Sequence, residues 1–159
     1  METVNSIQKL LDQGKDPKEV FTYVEDKNEN NILCVCLHDE MWNLLKIPEN
    51  KLVCFKWYYR ILEFEDGFAK VENDWHKWNL LNSDGKEVCY EWYDSIGIFS
   101  NGFARVRKGN YYNFLKKDGT ILCKNWYDLV KDFNNDFAKV LSDDGWKYID
   151  ITGNIINTK

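Results

Sequence analysis

Apolar and polar side chains alternate in three closely similar runs. In Phe103-Ala104-Arg105-Val106-Arg107, extended backbone puts Ala104 and Val106 on one side and both arginines on the other. Phe68-Ala69-Lys70-Val71 and Phe137-Ala138-Lys139-Val140 have the same order. A period of two predicts strands with one apolar face. A second short apolar stretch precedes each run. In the middle case it is Ser95-Ile96-Gly97-Ile98-Phe99, set off by the turn signal Ser100-Asn101-Gly102. Gly67 and Gly102 suit a positive φ at this turn, and Asp136 takes the same place in the last run. A third stretch follows, Tyr111 to Lys117 in the middle case, closed by Asp118-Gly119. Asp84-Gly85 and Thr152-Gly153 stand at the matching positions. Each segment reads as an antiparallel β-meander.

The three segments keep one register. Trp57, Trp92 and Trp126 recur at intervals of 35 and 34 residues, and Phe68, Phe103 and Phe137 each follow their tryptophan by 11. Trp78, Tyr112 and Trp146 mark a second aromatic patch in each copy, and copies end on Cys54, Cys89 and Cys123. A degenerate copy lies upstream, with Phe21 in the tryptophan position, Ile32 11 residues later, and Trp42 opening a third stretch. One meander cannot bury its apolar face alone, whereas stacked copies can. The expected fold is all-β: an array of three to four antiparallel β-meander repeats of about 35 residues. The boundaries are a degenerate first repeat at 21–54, then repeats at 55–88, 89–123 and 124–159. Residues 1–20 have another pattern. Ile7, Leu10 and Leu11 have helical spacing, Asn5 or Ser6 can cap the start, and Gly14 offers a stop. This predicts a short amphipathic helix that caps the open end of the array. Trp57, Trp92 and Trp126 are expected to be buried equivalents, and Cys54, Cys89 and Cys123 to form a buried column.

The string Trp92-Tyr93-Asp94-Ser95-Ile96, continued by Phe99, Gly102-Phe103-Ala104-Arg105-Val106, an aromatic strand and a closing Asp118-Gly119, resembles the WG-repeat (KWG) family. The likeness is strong over residues 55–159 and weaker over 21–54. One departure runs through every copy. The family's Trp-Gly pair is here Trp78-Asn79, Tyr112-Asn113 and Trp146-Lys147. The resemblance implies β-rich modules of bacterial and phage proteins, and it carries no shared catalytic residue.

Composition narrows the function. Aromatics make up 16% of the 159 residues, enough to build a core although 30% are charged. The net charge of −5 does not favour naked nucleic acid. No apolar run reaches membrane-spanning length, and the polar N-terminus lacks a signal-peptide core. Five cysteines, an odd number, fit reduced thiols and a cytoplasmic setting. Cys34 and Cys36 have no partner cysteine pair or histidine cluster at zinc spacing, so no metal is expected. No cofactor motif occurs, since a phosphate-cradling glycine loop is absent from the sequence. His38 and His76 lack a nearby nucleophile, and the pairs Glu63/Glu65 and Asp143/Asp144 read as solvated charge. The chain is therefore expected not to be an enzyme.

The candidate binding residues are cations and one tyrosine. Lys70, Arg105 and Lys139 hold equivalent places on the face opposite Ala69, Ala104 and Ala138. Arg107, Lys108 and Tyr111 add to them in the third copy, which carries five Lys/Arg against three Asp/Glu. Residues 1–54 carry six against ten. The favoured function is a non-catalytic repeat module that binds another protein. The alternative is an RNA, nucleic-acid or nucleoprotein binder, such as a phage-borne inhibitor of a host defence complex, because basic residues interleaved with aromatics suit stacked bases.

Overall fold

A computed structural model describes residues 4–26, 31–37 and 40–156. It is mostly β, with four small antiparallel sheets after a short N-terminal helix. The expected fold class holds. The chain divides into two compact units, Met1–Val88 and Cys89–Lys159.

In the first unit, helix α1 (Val4–Asp12) and the single turn α2 (Pro17–Val20) lead into a meander of β1 (Tyr23–Asp26), β2 (Ile32–Cys36), β3 (Trp42–Lys46) and β4 (Lys51–Leu52). The next sheet holds β5 (Arg60–Glu65), β6 (Phe68–Glu72) and β7 (Trp78–Asn82). In the second unit, β8 (Ser95–Ile96), β9 (Phe103–Lys108) and β10 (Tyr111–Lys116) form one sheet. The other is β11 (Leu129–Val130), β12 (Phe137–Ser142), β13 (Gly145–Asp150) and β14 (Ile155–Ile156).

The helix behaves as a cap. Ile7 and Leu11 are buried in a cluster with Phe21, Val35, Leu45 and Trp57. The Gln8 side chain finishes the edge of β4: its oxygen accepts from Leu52 N at 2.7 Å and its amide donates to Asn50 O at 3.2 Å. Two local details differ from expectation. The helix is already formed at Val4, so Asn5 and Ser6 lie within its first turn and do not cap it. Asp136 does not take up a positive φ; Asn135 does (55°), as Asp66 and Asn101 do before Gly67 and Gly102. Two consecutive left-handed residues shape those earlier turns, and the last copy keeps one of the two.

The core column is not the one expected. Trp57 is buried, but Trp92 and Trp126 are only half-buried. The fully buried equivalents are the tyrosines one residue later, Tyr58, Tyr93 and Tyr127, at 2%, 3% and 5% exposure. A pair of backbone hydrogen bonds explains the shift. Tyr58 N donates to Trp42 O at 2.9 Å and Trp42 N to Tyr58 O at 2.7 Å, so Tyr58 joins the preceding sheet as a bridge residue. Tyr127 does the same at Tyr112, at 3.0 and 2.8 Å. Cys54, Cys89 and Cys123 are all buried.

An asparagine locks each of these joints. Asn113 is fully buried and uses all its hydrogen-bonding capacity on backbone. Its oxygen accepts from Phe114 N (2.8 Å) and Cys123 N (3.2 Å), and its amide donates to Cys123 O (2.8 Å) and Asn125 O (3.1 Å). Asn43 makes the corresponding bonds with Leu44 N, Cys54 N, Cys54 O and Lys56 O. These residues stand where the resembled family has the glycine of Trp-Gly. The closing glycines complete the joint. A Cβ on Gly85 would meet Val53 O at 2.6 Å, and one on Gly153 would meet Leu122 O at 2.9 Å, so a bare backbone is required at both contacts.

Two predictions follow from these joints. Asn113→Ala strands four backbone groups, each costing about 1–3 kcal/mol when buried and unpaired. It should lower stability at least as much as Tyr127→Ala, which costs about 3–5 kcal/mol as the loss of a large buried aromatic. Trp126→Ala should cost clearly less than either in urea unfolding, and equal losses at 126 and 127 would restore the tryptophan column. The second concerns alkaline pH. Burial first, and the negative charge of Glu87 second, push the Tyr58 hydroxyl well above its ordinary value of 10.0. Its folded form keeps the proton that the unfolded chain begins to release near pH 10, so stability falls as pH rises past that point. Each withheld proton contributes a slope of about 1.4 kcal/mol per pH unit. Tyr58→Phe should flatten the slope of melting temperature against pH above 10.

Candidate binding surface

The proposed binding residues divide between the units. Lys70 is half-buried in the first. Arg105, Arg107, Lys108, Tyr111 and Lys139 belong to the second, where the alternation is as read: Ala104, Val106, Ala138 and Val140 are buried, and the arginines point outward. Arg107, Lys108 and Tyr111 gather at the β9–β10 turn, with Tyr111 opposite Lys108 and Tyr112 opposite Arg107 in the ladder. Asp94 braces the turn, accepting from Gly109 N at 2.6 Å.

The cations are not a bare ridge. Lys108 Nζ donates to Glu91 Oε2 at 2.8 Å, and Arg105 Nε lies 2.7 Å from Asp132 Oδ1. Lys139 Nζ sits 5.2 Å from the ring centre of Trp146 and 5.7 Å from that of Tyr148. Among the described residues, Arg107 alone of these second-unit cations has neither an ion-pair partner nor a ring contact.

The face that carries Arg105 receives the next copy. Phe103 stacks on Phe133 at 4.4 Å between ring centres, and Phe114 meets the same ring edge-on at 4.8 Å. The Arg105–Asp132 pair spans the same joint, as does the Asn101 amide, which donates to Phe133 O at 2.7 Å. The meander thus uses both faces, one for Ala104 and Val106 and one for docking the following copy. Alternation along one strand does not reveal this, because a face covered by a neighbour only at its apolar positions still reads as polar.

Large apolar side chains that sequence reasoning passed over stand out in solvent. Trp75, in the β6–β7 turn, is 81% exposed, Phe55 88% and Tyr90 99%. Phe55 and Tyr90 each follow a column cysteine directly, the position held by Lys124 one copy later, so the repeat register carried the signal. Beside Trp75, His76 Nδ1 lies 2.9 Å from Glu72 Oε1 and its ring meets Tyr59 edge-on at 4.9 Å. The Glu72 carboxylate is buried, and its other oxygen has Arg60 Nε, at 3.6 Å, as a charge partner. His38 lies outside the described residues.

The chemistry of the thiols is quiet. Burial raises Cys54 to about 12 and Cys123 to about 11, so both stay protonated at neutral pH, and only thiolates attack or ligate. None of the five cysteines is in a disulfide. Among the described residues, no three His, Cys, Asp or Glu side chains gather as a metal site.

Comparison with known proteins bears on the repeat. Residues 80–112 match the WG containing repeat. The WG-repeat match runs from β7 to the start of β10 and takes in the string Trp92 to Val106. No curated protein matches the chain significantly. Solved structures similar in fold include the computationally designed Ika4 protein, at 15% identity and a TM-score of 0.40, covering 82% of this chain and 90% of that one. The WD40 β-propeller domain of Doa1 is similar at 13% identity and a TM-score of 0.36, covering 84% and 52%. BamB from Moraxella catarrhalis is similar at 12% and 0.41, covering 80% and 45%. The chain thus spans about half the length of the last two.

The column cysteines provide the test of the WG-repeat register. Cys54, Cys89 and Cys123 should react with a thiol reagent only at the rate of unfolding, and all five should label at once in denaturant. Rapid native labelling of the three would place them outside the core.

Proposed function

We propose that the chain is a non-catalytic repeat module that binds another protein in the cytoplasm. The observation that supports this most directly is the set of large aromatics held in solvent on braced turns and joints: Phe55, Trp75 and Tyr90. Burying such side chains is the main source of affinity where proteins meet, and tryptophan and tyrosine dominate binding hot spots. A repeat scaffold suits this work, since its joints hold the exposed positions without depending on them. The paired state of Arg105 and Lys108, together with the net charge of −5, favours a protein partner over a phosphate backbone.

The decisive experiment is affinity capture from the native host with and without nuclease. A protein partner should stay bound after nuclease treatment and be lost on Trp75→Ala or Tyr90→Ala, neither of which should shift the melting temperature. Arg105→Glu with Arg107→Glu should weaken binding while costing little stability, because an exposed pair such as Arg105–Asp132 contributes about 0–1 kcal/mol. Release of the partner by nuclease, with a steep fall in affinity as salt rises, would replace this reading with the nucleic-acid one.

A further inference from the structure

The joint between the third and fourth repeats is a template for what the fourth repeat leaves open. On the third repeat, the face made by Phe103, Arg105, Tyr112 and Phe114 takes the segment that carries Tyr127, Asp132 and Phe133. It does so by three kinds of contact: the paired backbone bonds between Tyr112 and Tyr127, the stack of Phe133 against Phe103 and Phe114, and the ion pair of Arg105 with Asp132. The fourth repeat presents the same set in the same register. Phe137, Lys139, Trp146 and Tyr148 occupy the equivalent positions, with Lys139 opposite Tyr148 across β12 and β13.

Within the second unit, nothing among the described residues fills this second face. Trp146 is 42% exposed and Phe137 44%, whereas Tyr112 and Phe103 are half-buried at their joint. Among the described residues of the second unit, no bridge residue pairs with Trp146 as Tyr127 pairs with Tyr112. Lys139 rests over two aromatic rings and, among the described residues, has no carboxylate where Arg105 has Asp132. Position 147 is lysine, so the asparagine lock that fastens a covalently following copy is missing as well.

We propose that the outer face of the fourth repeat, formed by Phe137, Lys139, Trp146 and Tyr148, docks an extended polypeptide segment of a partner protein that bears an aromatic side chain and a carboxylate. The inference rests on the protein-binding reading and gives it a site. The segment adds to the sheet beside Trp146 through a pair of backbone hydrogen bonds. Its aromatic ring lies against Phe137 and Tyr148, and its carboxylate draws Lys139 off the rings, as Asp132 holds Arg105. Charge complementarity selects an acidic segment over a basic one.

The chain supplies its own probe. A labelled synthetic peptide with the sequence of residues 124–134, KNWYDLVKDFN, carries every group the template uses. Added to the full chain, it should bind saturably and shift the amide resonances of Trp146 and Tyr148. Trp146→Ala, at a half-exposed position, should weaken binding at least tenfold with the fold intact. A peptide with lysine at the Asp132 position should lose binding to the same degree, and Lys139→Asp in the protein should restore it. Absence of saturable binding, indifference to Trp146→Ala, or failure of the charge swap would overturn the proposal. So would a dimer in sedimentation that Trp146→Ala abolishes, since the face would then belong to a second copy of the chain. If capture of the host partner survives Trp146→Ala while Trp75→Ala or Tyr90→Ala removes it, the protein-binding reading stands and this site falls.

Discussion

The four hydrogen bonds of a buried asparagine hold the first repeat to the second, and those of another hold the third to the fourth. Asn43 and Asn113 each tie the start of a third strand to the segment that leads into the next copy. An amide in a dry site must satisfy two donors and an acceptor, and here all three find backbone. This fixes the path from the column cysteine to the bridging tyrosine, and the tyrosine fixes the start of the next meander. A glycine at these positions would supply none of the bonds. The asparagine after Trp42 and after Tyr112 is therefore what joins these copies.

The joints also account for the unequal burial of the aromatic pairs. In Trp-Tyr, the second residue turns inward because its backbone is claimed by the preceding sheet, and the first then lies at the edge of the core. Trp57 is the exception because helix α1 and Phe21 close over it, with the rings of Phe21 and Trp57 6.5 Å apart. The cap thus protects a residue that the later copies leave half in water.

Much of the architecture was legible in the sequence. The alternation at Ala104 and Val106, the burial of the recurring cysteines, the closing glycines and the helix at Ile7 and Leu11 each state a local preference that the packing keeps. The choice of Tyr127 over Trp126 as the buried residue was not legible, since both are large and aromatic and only a long-range backbone pairing, Tyr127 with Tyr112, separates them. The engagement of Arg105 was hidden for a similar reason. Its partner Asp132 lies in another copy, and sequence spacing gives no distance between copies. The exposed aromatics at Phe55 and Tyr90 were readable, because the position after the column cysteine accepts lysine in the next copy.

That position has an evolutionary consequence. Phe55, Tyr90 and Lys124 occupy one geometric slot, filled by a benzene ring, a phenol and an ammonium group in successive copies. The backbone around the slot is fastened by groups that take no part in its chemistry. These side chains face solvent, so on the protein-binding reading proposed above the slot can change its chemistry from copy to copy while the scaffold stays under separate constraint. Variation among relatives should concentrate in these slots and spare the asparagine and tyrosine beside them.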